Sequence, residues 1–109
     1  MNIVRVVAVL RDGGRQNKNY KLILLCGINE AHQIEDGEWM GYTKNESFLN
    51  PFILKDRKSL FYGGEYNYLE PTNILHRSIE VGQFFTITNP PEAIETWEST
   101  YEIVSCHSY

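Results

Sequence analysis

Cysteine is scarce: Cys26 and Cys106 are the only two in 109 residues, and they stand in no CxxC or CxxxC spacing. Neither a zinc knuckle nor a thioredoxin-like redox site is encoded. Both read as reduced, partly buried thiols, since a bridge between them needs an oxidising compartment and neighbouring terminal strands. Long apolar runs are missing as well. Arg5 is followed only by Val6 to Leu10 before Arg11 and Asp12, too short and too soon interrupted for a signal peptide or a membrane span. The expected address is cytoplasmic, with no membrane contact.

An excess of positive charge is also absent. Ten Lys and Arg stand against fourteen Asp and Glu, a net charge of −4, which removes the long-range attraction to phosphate that general nucleic-acid binders use. Bulk DNA or RNA is therefore not an expected partner. The acidic excess is in turn too mild for a mimic of nucleic acid. No helical period persists past about two turns, and there is no internal repeat or low-complexity tract.

Catalytic and metal signatures are lacking too. His32, His76, His107 and the two cysteines are the soft ligands, and only Cys106 and His107 are adjacent. A strand sends neighbours to opposite faces, so that pair does not converge on one ion. There is no GxSxG elbow, and Cys26 or Cys106 beside His76 reads as a small buried hydrophobe rather than a nucleophile. The carboxylate pairs Glu35 with Asp36 and Glu92 with Glu95 fall in loop-like segments, where solvated charge accounts for them. No metal, cofactor or catalytic centre is expected, and the chain is not read as an enzyme.

What is present is β-forming chemistry: 42% hydrophobic residues, 13% aromatics, and turn residues between the apolar runs. A chain of this size hides about two thirds of its unfolded surface, enough for a single all-β domain over residues 1–109. Ile3 to Leu10 and Tyr20 to Ile28 read as a long central hairpin, with Arg11, Arg15, Lys18 and Lys21 at a mobile basic tip. Asn29 to Gly37 is a polar connection into a short strand over Glu38 to Thr43, from which Trp39 packs inward. Lys44 to Lys55, broken by Asn45, Asn50 and Pro51, reads as an irregular segment over one end of the core. Thr72 to Arg77 fits either one helical turn or a short strand. Glu80 to Gln83 is a tight turn with Gly82 left-handed, and Phe84 to Thr88 is a strand. From Trp97 to Val104 the chain alternates, with Trp97, Ser99, Tyr101 and Ile103 on one face and Glu98, Thr100 and Glu102 on the other.

Charge is placed unevenly. Arg5, Arg11, Arg15, Lys18 and Lys21 lie near one end, and Glu80, Glu92, Glu95, Glu98 and Glu102 near the other. The economical account is that the two ends pair side by side in one sheet. With about six or seven short strands to close, the expected architecture is a small partly open β-barrel of SH3-like size, or a bent two-layer sandwich.

The strongest local signal is Ser59-Leu60-Phe61-Tyr62-Gly63-Gly64-Glu65-Tyr66-Asn67-Tyr68. A two-residue Gly-Gly turn there pairs Tyr62 with Glu65, Phe61 with Tyr66, Ser59 with Tyr68 and Arg57 with Glu70. Phe61, Tyr66 and Tyr68 then share one face, and Leu60, Tyr62 and Leu69 the other. Arg57, Lys58, Phe61, Tyr62, Tyr66 and Tyr68 form the candidate binding set. Basic residues beside aromatics suit stacking of a base next to a phosphate, and Tyr-rich hairpins also supply rigid anchors at protein interfaces. Two functions are expected from this. The first is a non-enzymatic binding module that captures another protein as an adaptor or inhibitor. The alternative is a binder of a nucleotide-like or anionic small ligand. Composition does not set the oligomeric state.

Overall fold

Runs of apolar residues on both faces build the first two strands. The computed structural model describes residues 1–64, 68–90 and 94–109. In it β1 (Asn2–Asp12) buries Val4, Val6 and Ala8, one residue in two, and pairs with β2 (Arg15–Ile28). Gly13 and Gly14 turn the chain with φ of 58° and 82°, backbone that residues with a Cβ rarely adopt. The expected basic tip is smaller than its sequence suggests, because Arg11, Arg15, Lys18 and Lys21 all lie within these strands. Val9 pairs with Lys21 and Leu10 with Asn17, so Lys18, Asn19 and Tyr20 are extra residues in β2. Such an insertion bends a strand and raises its twist, which favours barrel closure.

The chain continues as β3 (Trp39–Asn45), β4 (Phe48–Lys55), β5 (Ser59–Gly63), β6 (Tyr68–Pro71), β7 (Phe84–Thr88) and β8 (Glu98–Ser108). Each strand is antiparallel to its neighbour, in the spatial order β6-β5-β4-β3-β2-β1-β8-β7. The terminal strands of the sheet, β6 and β7, meet through the bridge Thr72–Ile87. There the Thr72 hydroxyl donates to the Thr86 carbonyl at 2.7 Å, and the Thr86 amide donates to the Asn73 side chain at 2.8 Å. The result is an eight-stranded, nearly closed up-and-down barrel. The segment expected to be irregular supplies the end of β3 and all of β4, with Pro51 opposite Tyr42 in the ladder. The short element after Thr72 is a 3₁₀ turn, Ile74–His76.

β1 lies between β2 and β8, as the uneven charge implied, and Arg11 donates to Glu102 at 3.0 Å. The same arrangement separates the cysteines. Cys26 is opposite Val4 from the β2 side and Cys106 opposite Val6 from the β8 side. Two strand spacings, about 9–10 Å, exceed disulfide reach, and both thiols are free.

One end of the barrel is plugged. Ile34 from the β2–β3 connection and Ile74 and Ile79 from the β6–β7 connection are at most 2% exposed, and the two connections are tied where the Ile79 amide donates to the His32 carbonyl at 2.7 Å. Above the plug, Val4, Val6, Leu22, Leu24, Cys26, Phe52, Leu54, Leu60, Phe85, Ile87 and Ile103 fill the interior. Gly41 makes room for the Phe52 ring, since a Cβ there would run into that ring and the Ile23 carbonyl. Among the described residues no helix is long and apolar enough to cross a membrane.

Candidate ligand site at the barrel mouth

Aliphatic packing stops short of the unplugged end, where the interior changes to aromatic and polar side chains. Phe85 stacks on Tyr101 with centroids 5.8 Å apart, Phe52 meets Tyr62 edge-on at 6.0 Å, and Tyr62 lies 5.8 Å from Tyr68. Tyr62, Tyr68 and Tyr101, with Tyr20 and Trp97, surround a cavity of about 390 Å³ whose lining includes Ile87. Thr43, Asn45, Asn50 and Ser99 add hydrogen-bonding groups, Glu70 supplies a carboxylate, and the exposed Lys44 stands at the rim.

Strand pleating accounts for the placement. Leu60 and Tyr62 on β5 point inward, as do Tyr68 and Glu70 on β6, because residues two apart share a face. Tyr101 projects from β8 two residues before the buried Ile103, as its alternation predicts. The Tyr68 hydroxyl donates to Glu70 Oε2 at 3.1 Å. Burial raises the Glu70 carboxyl above the ordinary glutamate value, and hydrogen bonds from Tyr62 and Tyr68 pull it back in part. Burial also pushes the Tyr101 hydroxyl up to about 12 and the Tyr62 hydroxyl higher still, so both phenols stay protonated.

The expected binding set is divided among different places. Tyr62 and Tyr68 line the mouth. Phe61 faces outward, with the Lys55 ammonium 5.0 Å from its ring centroid. It belongs to an outer ladder of directly paired apolar residues, Leu25–Met40–Ile53–Phe61–Leu69, running across β2 to β6. Arg57 lies at the plugged end, where its Nη1 donates to the Ile34 carbonyl at 3.4 Å and its Nε is 3.8 Å from Asp36. Lys58 is exposed beside it. Tyr66, with Glu65 and Asn67, lies outside the described residues, as does Glu92.

The expected register of the β5–β6 hairpin is corrected. Ser59 pairs with Pro71, Leu60 with Glu70 and Phe61 with Leu69, while Tyr68, expected opposite Ser59, is opposite Gly63 across a bulge. An odd shift in register exchanges faces, so Tyr68, itself 42% exposed, joins Tyr62 at the mouth and Leu69 joins Phe61 on the outer face. Glu70 consequently has no pairing with Arg57 and enters the barrel instead. Tyr20, Thr43, Asn50, Glu70, Trp97 and Tyr101 were not in the expected set. The alternation of Tyr68 with Glu70 was the available signal for the carboxylate.

Chemically, the mouth offers phenol and amide hydrogen bonds, ring faces and one interior carboxylate. Its described lining contains neither His nor Cys. Burial lifts Cys26 to about 12 and raises Cys106, which leaves both as poor nucleophiles at neutral pH. Among the described residues no group of three His, Cys, Asp or Glu is placed to hold a metal ion. Compared with protein-family models, curated proteins and solved structures, the chain matches none.

Proposed function

We propose that this protein is a non-enzymatic binding module whose barrel mouth takes a small organic ligand. The observation that carries the reading is the cavity of about 390 Å³ where aliphatic packing ends and tyrosines begin. Its volume falls in the range of about 300–1,000 Å³ typical of small-molecule sites, and its lining, more polar than apolar, combines five aromatic side chains with hydroxyl, amide and carboxylate groups. An eight-stranded barrel has an interior just wide enough to be filled by side chains or to hold one small ligand. Here the plugged end follows the first course and the mouth the second. The phosphate-stacking form of the idea loses support, since Arg57 and Lys58 are at the far end of β5, on the order of 10 Å of strand away.

A thermal-shift and NMR screen of small organic molecules tests the proposal. A ligand at about a hundred times its dissociation constant adds roughly 2.7 kcal/mol, and hits are expected to move the resonances of Tyr20, Tyr62 and Tyr101 together. Hits that map only to the outer face of the barrel overturn it.

The outer ladder favours a second reading, capture of another protein. Leu25 and Met40 are 46% and 65% exposed, and contiguous apolar surface of this kind is a frequent mark of protein interfaces. Met40→Lys would then abolish partner capture and leave the mouth intact.

A further inference from the structure

We infer that the mouth selects a ligand bearing a positively charged amine, seated against the Glu70 carboxylate and enclosed by the rings of Tyr62, Tyr68, Tyr101 and Trp97. The inference rests on the reading of the mouth as a ligand site and names the chemical class that the site takes.

The first argument is the geometry of the carboxylate. Glu70 is opposite the buried Leu60, so its side chain is directed into the barrel. An ionised carboxylate has about four acceptor positions. The Tyr68 hydroxyl takes one at 3.1 Å. Acceptor capacity therefore remains, and among the described residues no Lys, Arg or His forms an ion pair with it. Glu70 is partly shielded from water, which carries a cost that a counter-charge offsets, and a ligand ammonium supplies one.

The second argument is the rings. Aromatic faces are electron-rich and attract cations within about 6 Å of the centroid, a term that grows when water is excluded. Tyr62 and Tyr68 stand 5.8 Å apart with planes tilted at 48°, forming a corner next to the carboxylate. Tyr101 and Trp97 face the same cavity from the β8 side. Ile87 lines the same cavity, so the carbon skeleton of the ligand has one aliphatic contact beside the rings. Lys44 is the cation at the rim, but it is exposed and its field is screened by solvent, whereas a ligand anion would be brought directly against Glu70.

The test compares benzylamine, benzyl alcohol, benzoate and tetramethylammonium in NMR titrations of the full chain. Benzylamine is expected to bind at least about tenfold more tightly than benzyl alcohol, with benzoate weakest and tetramethylammonium detectable. Glu70→Gln is expected to erase the advantage of benzylamine over benzyl alcohol while benzyl alcohol binding persists. The ranking in the wild-type protein decides the question even where the variant does not fold. Equal binding of benzylamine and benzyl alcohol, or a preference for benzoate, overturns the cation inference and leaves the mouth as a ligand site. A panel that leaves the mouth resonances unmoved, while larger neutral molecules shift them, also overturns the inference alone. If neither set moves them, both readings fall.

Discussion

Glu70 lies directly across the β5–β6 ladder from Leu60. Leu60 is a core residue, 3% exposed, so the pairing carries a carboxylate to the inner side of the barrel wall. Burial raises its pKa above the ordinary value. The folded protein then holds that proton more tightly than the unfolded chain does. Glu70 favours folding when protonated, and this contribution is lost as pH rises from the ordinary glutamate range through the raised value. Glu70→Gln removes the titration and keeps an acceptor for Tyr68. Melting temperatures measured from about pH 4 to pH 7 are expected to show the variant gaining on the wild type as pH rises. A difference that stays constant with pH would refute the account. Stability given up at a binding site is a common cost of function.

Much of the barrel is legible in the sequence where burial follows strict alternation. The inward set Tyr101 and Ile103 and the outward Glu102 on β8 are examples. Alternation fails as a guide on β4, where Asn50 and Pro51 resemble a break. Their neighbours across the ladder, Thr43 and Tyr42, hold them in a strand all the same. The β5–β6 hairpin fails differently. Gly63 and Gly64 both have positive φ, 76° and 83°, as a tight turn would require. Gly63 is nonetheless absorbed into a bulge opposite Tyr68, and the register moves. Since Glu70 enters the mouth only in the shifted register, the carboxylate of the candidate site could not be read from the turn signal.

Arg11 and Glu102 join the first and last strands at 3.0 Å, with side chains 30% and 19% exposed. Exposed pairs contribute about 0.2–1 kcal/mol, and this one is only partly shielded. Glu102→Gln is expected to destabilise the protein by no more than about 1 kcal/mol in denaturant titrations. Wild type and variant should converge as salt is raised. A larger, salt-independent loss would mean that Glu102 acts through packing.

Gly41 faces inward on β3, and a Cβ there meets the Ile23 carbonyl and the Phe52 ring. The carbonyl belongs to the β2–β3 ladder and cannot yield as a flexible side chain would. Gly41→Ala is expected to cost about 1–3 kcal/mol, the range for overpacking a filled core. A crystal structure of the variant should show the Phe52 ring displaced toward Tyr62. An unchanged denaturation midpoint would contradict the close packing at this position.

Cys26 is fully buried, and burial lifts its pKa to about 12. Its thiolate fraction at neutral pH is negligible, and alkylation requires the barrel to open. In a mass-spectrometric time course with iodoacetamide, Cys26 is expected to react only as fast as the protein unfolds. Cys106 is half-buried and its thiol is held by the Ile79 carbonyl at 3.9 Å, so it should react sooner yet more slowly than a free thiol. Rapid labelling of either cysteine in the folded protein would return a nucleophilic role to consideration.

Arg57 provides the sharpest test of how the hairpin divides its work. Its backbone has φ of 58°, in the left-handed region. Its guanidinium reaches the Ile34 carbonyl on the plug, and its Nε is buried without a hydrogen-bond partner. This is the geometry of a fastening between the β4–β5 turn and the β2–β3 connection. Asp36, 3.8 Å away, adds little because its side chain is 91% exposed. Arg57→Ala is therefore expected to lower the melting temperature and speed amide exchange around Ile34, with ligand affinity at the mouth unchanged. If Arg57 instead held an anion together with Tyr62 and Tyr68, the variant would lose affinity at unchanged stability. Measuring both quantities on this one variant separates a plug residue from a binding residue, because the two roles move different observables.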